Sequence, residues 1–380
     1  MSKLQPVHKN LFSGNLKFLW GLWLVLNVVF IIHKGIVTEG EPYKYIYQAK
    51  LLLQTGSLES NNFWFYSTEI LLIALSIKIK LGFSLVIAIQ ILLNGIALFK
   101  FHQHLLRRFN KRVALTGSLL LLLNIPLQEF NTYLQTESVF YSLSIIFFIS
   151  LARIKKLTLP NVFPAVLLLL VLCVTRPTGL LFLPAFSIFI FIKLLQNVGR
   201  AKAIAFLAIE LVVFMLLLNI GLGSGGEFDF MLPFRYEHII CGVPTLITPQ
   251  AIQVAAEPNS IYGLSYYVYH NLPQFLTLAA KRTISFFGLF RSHYSTVHNI
   301  LLVAFFGIQY IAAFFSLRWW RKNERSFFAF MLAAIFMVWM SVIFSCDDWH
   351  DRFFLSISVL VTWLGLPFWN KLLTGSSSGR

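Results

Sequence analysis

Two glutamates stand close together just after the first long apolar segment of the chain. Glu39 and Glu41 lie within "VTEGEPYKYIYQAKLLLQTG", residues 37–56, although the 380 residues include only 15 acidic side chains. A carboxylate at a membrane surface can accept a proton from a hydroxyl group or help to hold a divalent cation. Spacing alone also allows a simpler interpretation, in which both carboxylates only cap a helix and face water.

Local signals predict a short amphipathic helix behind these glutamates. Pro42 suits the first turn of a helix, and Gly56 suits its end. The apolar residues recur at the three-and-four spacing of a helix face: Tyr45, Ile46, Ala49, Leu52 and Leu53. Glu41 then stands at the helix start, where the positive end of the helix dipole favours an ionised carboxylate.

The composition of the chain is that of a membrane protein. It is 57% hydrophobic, 16% aromatic and 12% charged, with a mean hydropathy of +0.73. A soluble domain of this length cannot bury so much apolar surface. The net charge of +16 comes from short basic clusters between apolar runs, which is typical of membrane topology and argues against a nucleic-acid partner.

Recurrent apolar runs predict an all-α polytopic fold with about ten transmembrane helices in a single domain, residues 1–374. The predicted spans are 17–37, 83–101, 113–132, 136–153, 161–175, 178–196, 201–220, 299–317, 326–345 and 352–370. With both termini cytoplasmic, the intervening inner loops are all basic: 107–112, 152–156, 197–202 and 318–325. The basic N-terminal segment is interpreted as a retained signal anchor, and the tail "GSSSGR", 375–380, as a cloning remnant.

Two outer loops are long, 38–82 and 221–298, and most acidic residues fall on or near this side. Residues 65–82 are apolar but short and are interrupted by lysines, which favours a helix lying along the membrane surface. The second loop ends in a predicted helical stretch, 270–299, which carries several cations. The outer face is therefore where polar chemistry is expected.

The three cysteines, Cys173, Cys241 and Cys346, are few and scattered. They indicate neither a disulfide framework nor a metal cluster, and we interpret them as packing residues.

The motifs and their order resemble the GT-C superfamily of integral membrane glycosyltransferases. In the first outer loop of that superfamily, an acidic residue is followed by Tyr four positions on and Ala eight positions on, here Glu41, Tyr45 and Ala49. Further similar segments follow in the family's order: "FYSTEILLIALSIKIKLGFSLVIAIQILLNGIALFKFHQHLLRRF", "LQTESVFYSLSIIFFISLARI", "VTRPTGLLFLP" and "DRFFLSISVLVTWLG". The chain departs from the pattern in having Glu instead of Asp at the acidic position, and Pro42 where a second acid often follows.

The resemblance, which extends to the aminoarabinose transferase and protein mannosyltransferase families, implies a reaction. A sugar would pass from a polyprenyl-phosphate carrier to a hydroxyl of a glycan, lipid or protein acceptor, with inversion. Glu41 would be the general base and Glu39 its helper, which positions the acceptor or shares a divalent cation such as Mg²⁺ or Mn²⁺. Whether a metal is required stays open at this point.

A phosphate leaving group needs positive charge on the outer side. The candidate phosphate- or substrate-binding residues are Arg176, Arg282, Arg291, His293, Arg352, Glu137 and Tyr45. Each cation has an alternative interpretation, as an interfacial side chain or as the partner of a nearby acid. The predicted location is a bacterial inner membrane, with the active site periplasmic or extracellular.

Three other functions stay open. An oligosaccharide ligase or polymerase of the same fold would move a whole glycan from a diphosphate carrier. A lipid or solute transporter or flippase is expected to carry ionisable groups near mid-membrane and often repeated architecture. A structural membrane protein would not need this arrangement of charges.

Overall fold

The computed structural model describes residues 14–223 and 229–374. Within these ranges the regular structure is helical, apart from two isolated bridges that pair Val37 with Tyr133 and Ile240 with Asp347. The predicted all-α class is confirmed. The predictions for the N-terminal end of the anchor and for the tail 375–380 lie outside the described residues.

The helices follow one another along the whole described chain. They are α1 (Gly14–Lys34), α2 (Glu41–Thr55), α3 (Ser67–Lys78), α4 (Phe83–Arg108), α5 (Lys111–Leu122), α6 (Ile125–Glu129), α7 (Thr136–Arg153), α8 (Leu159–Thr175), α9 (Phe182–Asn197), α10 (Arg200–Gly223), α11 (Leu232–Arg235), α12 (Ile261–His270), α13 (Leu272–Gly288), α14 (Thr296–Asn323), α15 (Arg325–Ile343) and α16 (Arg352–Thr374).

Eight helical segments in the described part are long and apolar enough to cross a bilayer: α1, α4, α7, α9 together with the 3₁₀ turn before it (Pro177–Asn197), α10, α14, α15 and α16. The helix pair α5 and α6 would be a ninth span, broken by a bend of 61°. Helix α8 is apolar but has only 17 residues. The chain is therefore a multi-pass membrane protein whose helices suit a lipid bilayer, and the predicted count of ten stays a prediction.

The chain forms two compact units. Of the described residues, unit 1 comprises 14–149 and 369–374, and unit 2 comprises 150–223 and 229–368. Unit 1 holds Glu39, Glu41, Tyr45 and Glu137, and unit 2 holds the predicted cations of the site.

Helix α2 in unit 1 confirms the local prediction. Gly40 before the helix and Gly56 after it both have φ of 75°, a conformation that side-chain-bearing residues rarely adopt. Tyr45, Ile46 and Ala49 are buried against α3 and the start of α4. Leu53, predicted on the same face, is exposed instead, because the buried stripe ends one turn before the helix does.

Helix α3 is the segment predicted to lie along the membrane surface. Its 12 residues extend about 18 Å, too little for a hydrocarbon core about 30 Å thick. Its buried face consists of Ile70, Ile73 and Ala74, packed on α2. The length agrees with the prediction that this segment does not cross, and its placement at the interface stays a prediction.

The helical stretch predicted over 270–299 in unit 2 is wrong in its second half. Helix α13 ends at Gly288, where Leu289 takes a left-handed conformation with φ of 55°. Residues 289–295 form a turn, and Ser295 caps α14 by accepting a hydrogen bond from the backbone N–H of His298. Arg291 and His293 consequently lie in a turn between two helices.

A disulfide joins Cys241 and Cys346, whose Cα atoms are 5.1 Å apart. The interpretation of these two cysteines as packing residues is wrong, because the pair lies 105 residues apart and only the fold brings it together. Cys173, in contrast, is buried and free. The bond ties the loop after α11 to the turn after α15.

Candidate functional site

Glu41 is the first residue of α2, and its carboxylate is held by two neighbours on the same helix. The Tyr45 hydroxyl donates a hydrogen bond to Glu41 Oε1 at 2.9 Å, and Lys44 Nζ lies 2.8 Å from the same oxygen. The Lys44 ammonium lies 4.9 Å from the centre of the Tyr45 ring and 5.0 Å from that of Tyr66. This arrangement orients a partly exposed carboxylate.

Tyr45 supports Glu41 from the protein interior. Its side chain is 1% exposed and packs against the Tyr66 ring. A tyrosine four residues after a glutamate lies one helical turn above it, so the spacing itself places the hydroxyl beside the carboxylate. The structure therefore brings together the two residues that the sequence paired, with Tyr45 in a positioning role.

Glu39 lines an open cleft of about 520 Å³ at the start of α2. The lining residues are Thr38, Glu39, Gly40, Tyr43, Ile46, Lys50 and Phe83. The backbone of Val37 fixes this segment, because it donates to the carbonyl of Thr132 at 3.0 Å and accepts from Leu134 at 3.2 Å. The volume falls within the range of small-ligand sites, about 300–1,000 Å³.

Lys50 is a cleft residue that sequence reasoning missed. It shares one helix face with Tyr43 and Ile46, at a spacing of three and four residues. The signal was present in the sequence, since a helix that begins at Glu41 puts positions 43, 46 and 50 on one side. The cleft thus combines a carboxylate with an ammonium group.

Glu137 lies in the first turn of α7 and is 1% exposed. It accepts a hydrogen bond from Thr136 Oγ1 at 3.3 Å, and its charge acts on Glu69 of α3. Burial raises the pKa of Glu69 well above its usual range, the hydrogen bond from Gln90 opposes this, and Glu137 adds repulsion. From the sequence, Glu69 was recognised only as one of the outer acids. Its contact with Gln90, 21 residues further along the chain, leaves no local pattern that could reveal it.

Arg291 is the centre of a buried ionic group in unit 2. Its Nη2 lies 2.7 Å from Asp347 Oδ2 and 2.5 Å from Asp351 Oδ1, and its Nη1 donates to Ser285 Oγ at 2.7 Å. All three charged side chains are at most 4% exposed. The cation predicted for a phosphate is therefore already shared between two carboxylates.

One guanidinium cannot fully compensate two buried acids. Burial raises the pKa of Asp351 to about 7, repulsion by Asp347 and Asp348 adds to this, and attraction by Arg291 opposes it. Asp351 also has a backbone φ of 56°, which Asp tolerates better than most residues. At neutral pH the group consequently holds a proton for part of the time.

Arg352 and Arg176 face the next carboxylate, Asp348. Arg352 donates to both Asp348 oxygens, at 2.8 and 2.6 Å. Burial acts to raise the pKa of Asp348, but attraction and hydrogen bonds from Arg352, with a smaller attraction from Arg176, hold it below its usual range. The Arg176 guanidinium also lies 5.8 Å from the centre of the Phe353 ring.

Arg282 is held apart from these acids by backbone carbonyls. It is fully buried and donates to the carbonyl oxygens of His238 at 2.9 Å, Ile343 at 2.7 Å and Pro233 at 3.1 Å. Burial lowers its pKa to about 10. These bonds join α13 to the loop around α11 and to the end of α15, which is a structural arrangement.

His293 lies in an aromatic group on the turn before α14. Its ring centre is 4.4 Å from that of Trp349 and 4.6 Å from that of Tyr294. Burial lowers the pKa of His293, and the neighbouring His350 lowers it further. His293 is consequently neutral at pH 7 and suited to hydrogen bonding rather than to neutralising a phosphate charge.

In the described ranges, no group of three or more His, Cys, Asp or Glu side chains has the geometry to hold a metal ion. Glu39 and Glu41 would supply at most two carboxylates, so a divalent cation there would take its other ligands from backbone oxygens, water or substrate. Mg²⁺ is commonly bound in this way.

Comparison with known proteins identifies no family: no protein-family model, no curated protein and no solved structure matches the chain.

Proposed function

We propose that the chain is a membrane glycosyltransferase, which moves a sugar from a polyprenyl-phosphate carrier to an acceptor hydroxyl with inversion. Two observations carry this proposal. A cleft at the start of α2 has Glu39 and Lys50 in its wall, and the carboxylate of Glu41, the first residue of that helix, is held in one orientation by Tyr45 and Lys44. The order of the sequence motifs that resemble the GT-C superfamily is independent support.

The proposed reaction needs only one carboxylate to act as a base. A single displacement at the sugar requires a carboxylate that takes the proton of the acceptor hydroxyl. Glu41 has that role in the proposal, and the Tyr45 hydroxyl and Lys44 hold it in one orientation. Glu39 positions the acceptor or contributes to a site for Mg²⁺ or Mn²⁺.

The leaving phosphate needs charge neutralisation. Lys50 is the cation that the cleft itself offers. Within unit 2, Arg176 and Arg352 stay the phosphate-binding candidates predicted from the sequence, because a guanidinium binds phosphate oxygens in a fork. A substrate phosphate would compete there with Asp348.

The proposed sidedness rests on each unit separately. In unit 1, α4 ends in Arg107 and Arg108, so its basic end is placed inside and the Glu41 segment at the opposite end outside. In unit 2, the disulfide between Cys241 and Cys346 supports an oxidising compartment for the turn that carries the aspartates. A bacterial inner membrane with a periplasmic site fits both arguments.

The test uses purified full-length protein and a panel of polyprenyl-phosphate and polyprenyl-diphosphate sugars. The proposal predicts donor hydrolysis or saturable binding for a monophosphate-linked sugar, with Lys50→Gln raising the donor KM more than it lowers kcat. Turnover of diphosphate-linked glycans alone would instead support a ligase or polymerase. Vectorial flux of a solute in liposomes, without any response to lipid-linked sugars, would contradict the proposal and support a transporter.

A further inference from the structure

Among the buried oxygen atoms of unit 1 that have no hydrogen-bond partner in the described residues, three belong to neighbouring side chains. They are Glu69 Oε2, Gln90 Oε1 and Gln135 Oε1. The side chains are 0%, 0% and 6% exposed, respectively. A buried polar atom without a partner is costly, so three such acceptors in one place require an explanation.

The hydrogen bonds of Gln90 bring these three residues together. Gln90 Nε2 donates to Glu69 Oε1 at 3.2 Å and to the backbone carbonyl of Gln135 at 3.3 Å. The side-chain amide of Gln90 thus stands between α3 and the residue that precedes α7. The Gln90 nitrogen already donates to two acceptors. The three oxygens without a partner, Glu69 Oε2, Gln90 Oε1 and Gln135 Oε1, can only accept hydrogen bonds.

We propose that Glu69, Gln90 and Gln135 form a binding site for a small, hard cation. Carboxylate and amide oxygens are the ligands that such cations prefer, and a cation satisfies several acceptors at once without any donor. The Glu69 carboxylate balances the charge, and the buried Glu137 adds negative potential nearby. The site is separate from Glu39 and Glu41 and does not depend on the proposed function.

A proton is the main competitor for this site. Burial raises the pKa of Glu69 well above its usual range, the Gln90 hydrogen bond opposes the rise, and repulsion by Glu137 adds to it. A proton on Glu69 would satisfy one acceptor, and bound water could satisfy others. These alternatives differ from the cation site in their response to salts.

The experiment measures the unfolding midpoint of the purified protein by intrinsic tryptophan fluorescence at pH 8. Chlorides of Na⁺, K⁺, Mg²⁺, Mn²⁺ and Ca²⁺ are titrated separately, with choline chloride keeping ionic strength constant. We expect a saturable rise of the midpoint for at least one of these cations, because a ligand of the folded state stabilises it by mass action.

Variants connect that rise to the site. Glu69→Gln should raise the half-saturating concentration by about 10- to 100-fold or more, the scale on which loss of even an outer-shell partner acts. Gln135→Leu removes an oxygen without a partner and leaves the backbone carbonyl that Gln90 uses, so it should weaken the response while the protein still folds. Glu59→Gln, which removes an exposed carboxylate in the same unit, should respond like the wild type.

Two results would overturn the inference. One is the absence of a saturable response to all five cations. The other is a response that either Glu69→Gln or Gln135→Leu leaves intact, since the cation then acts elsewhere. If Glu69→Gln does not fold, Gln135→Leu decides alone.

Discussion

Asp351 is expected to make the protein less stable as the pH rises from 5 to 8. Burial raises its pKa from the usual 3.8 to about 7. Attraction by Arg291 opposes this rise, and repulsion by Asp347 and Asp348 adds to it. Between these two values the folded protein keeps a proton that the unfolded chain has released. The stabilisation is therefore fully present below about pH 4 and is lost as the pH rises through 7.

The magnitude follows from the size of the shift. About three pKa units, at about 1.4 kcal/mol each, correspond to about 4 kcal/mol. Part of this is repulsion by the neighbouring aspartates, which relaxes when either takes up a proton, so we expect about 2–4 kcal/mol. Asp348 does not contribute in this window, because its pKa lies below the usual range and its stabilisation is lost only under stronger acid.

The perturbation is Asp351→Asn, which keeps the shape of the side chain and tolerates the left-handed backbone at this position. Unfolding of the detergent-solubilised protein is measured by tryptophan fluorescence at several pH values. About two of the three pKa units lie within this pH window, so the wild type should lose about 2–3 kcal/mol more than Asp351→Asn between pH 5 and 8. Glu257→Gln, a change at an exposed acid of the same unit, should retain the wild-type slope.

The test compares how steeply the free energy of unfolding falls with pH in the wild type and in Asp351→Asn. Histidines also titrate in this range, but they do so in both proteins and cancel in the difference. Equal pH dependence in the wild type and Asp351→Asn would refute the assignment of a buried, partly protonated Asp351.

Three further predictions, with four substitutions, concern the stability of unit 2. Arg282→Lys should cost about 2–4 kcal/mol of unfolding free energy, because a lysine cannot reach all three carbonyl oxygens that the guanidinium binds; an unchanged denaturation midpoint would contradict this. Cys241→Ser and Cys346→Ser should each destabilise the protein by about 4–5 kcal/mol, with no further loss on adding reductant; equal sensitivity to reductant in wild type and variants would contradict the bond. Gly179→Ala should lower the thermal midpoint, since its Cβ would lie 2.3 Å from a backbone carbonyl oxygen, whereas Gly288→Ala meets nothing within 4 Å and serves as the control.

The elements that the sequence predicted correctly are those with local signals. Pro42 and Gly56 mark the ends of α2, and apolar runs mark the spans, because these features act over a few residues or one helix length. The pairing of Tyr45 with Glu41 follows from one helical turn. Such features need no knowledge of what packs against the helix.

The contacts that the sequence did not predict are distant in the chain. Arg291 was placed on a helix, although Ser295 signals the start of the next one. The sequence left open a pairing of this cation with a nearby acid such as Asp351, but only the fold brings Asp347 and Asp351, 56 and 60 residues away, to the same guanidinium. The disulfide is similar, since three cysteines allow more than one pairing and no spacing rule selects among them.

The buried polar group around Glu69 shows the same limit. Glu69 is followed by apolar residues and reads as one more outer acid. Of its neighbours, Gln90 lies within the span α4, and Gln135 is the residue just before the span α7. Burial of a carboxylate becomes visible only when these segments are placed side by side.

The most direct test of the central claim is the turnover number of Glu41→Gln with a polyprenyl-phosphate sugar that the wild type uses. The account predicts a fall in kcat of about 10²–10⁴, the contribution typical of a general base, with donor binding and unfolding midpoint close to those of the wild type. Glu59→Gln, which removes an exposed carboxylate after the same helix, should retain full turnover. Near wild-type kcat in correctly folded Glu41→Gln would contradict the account.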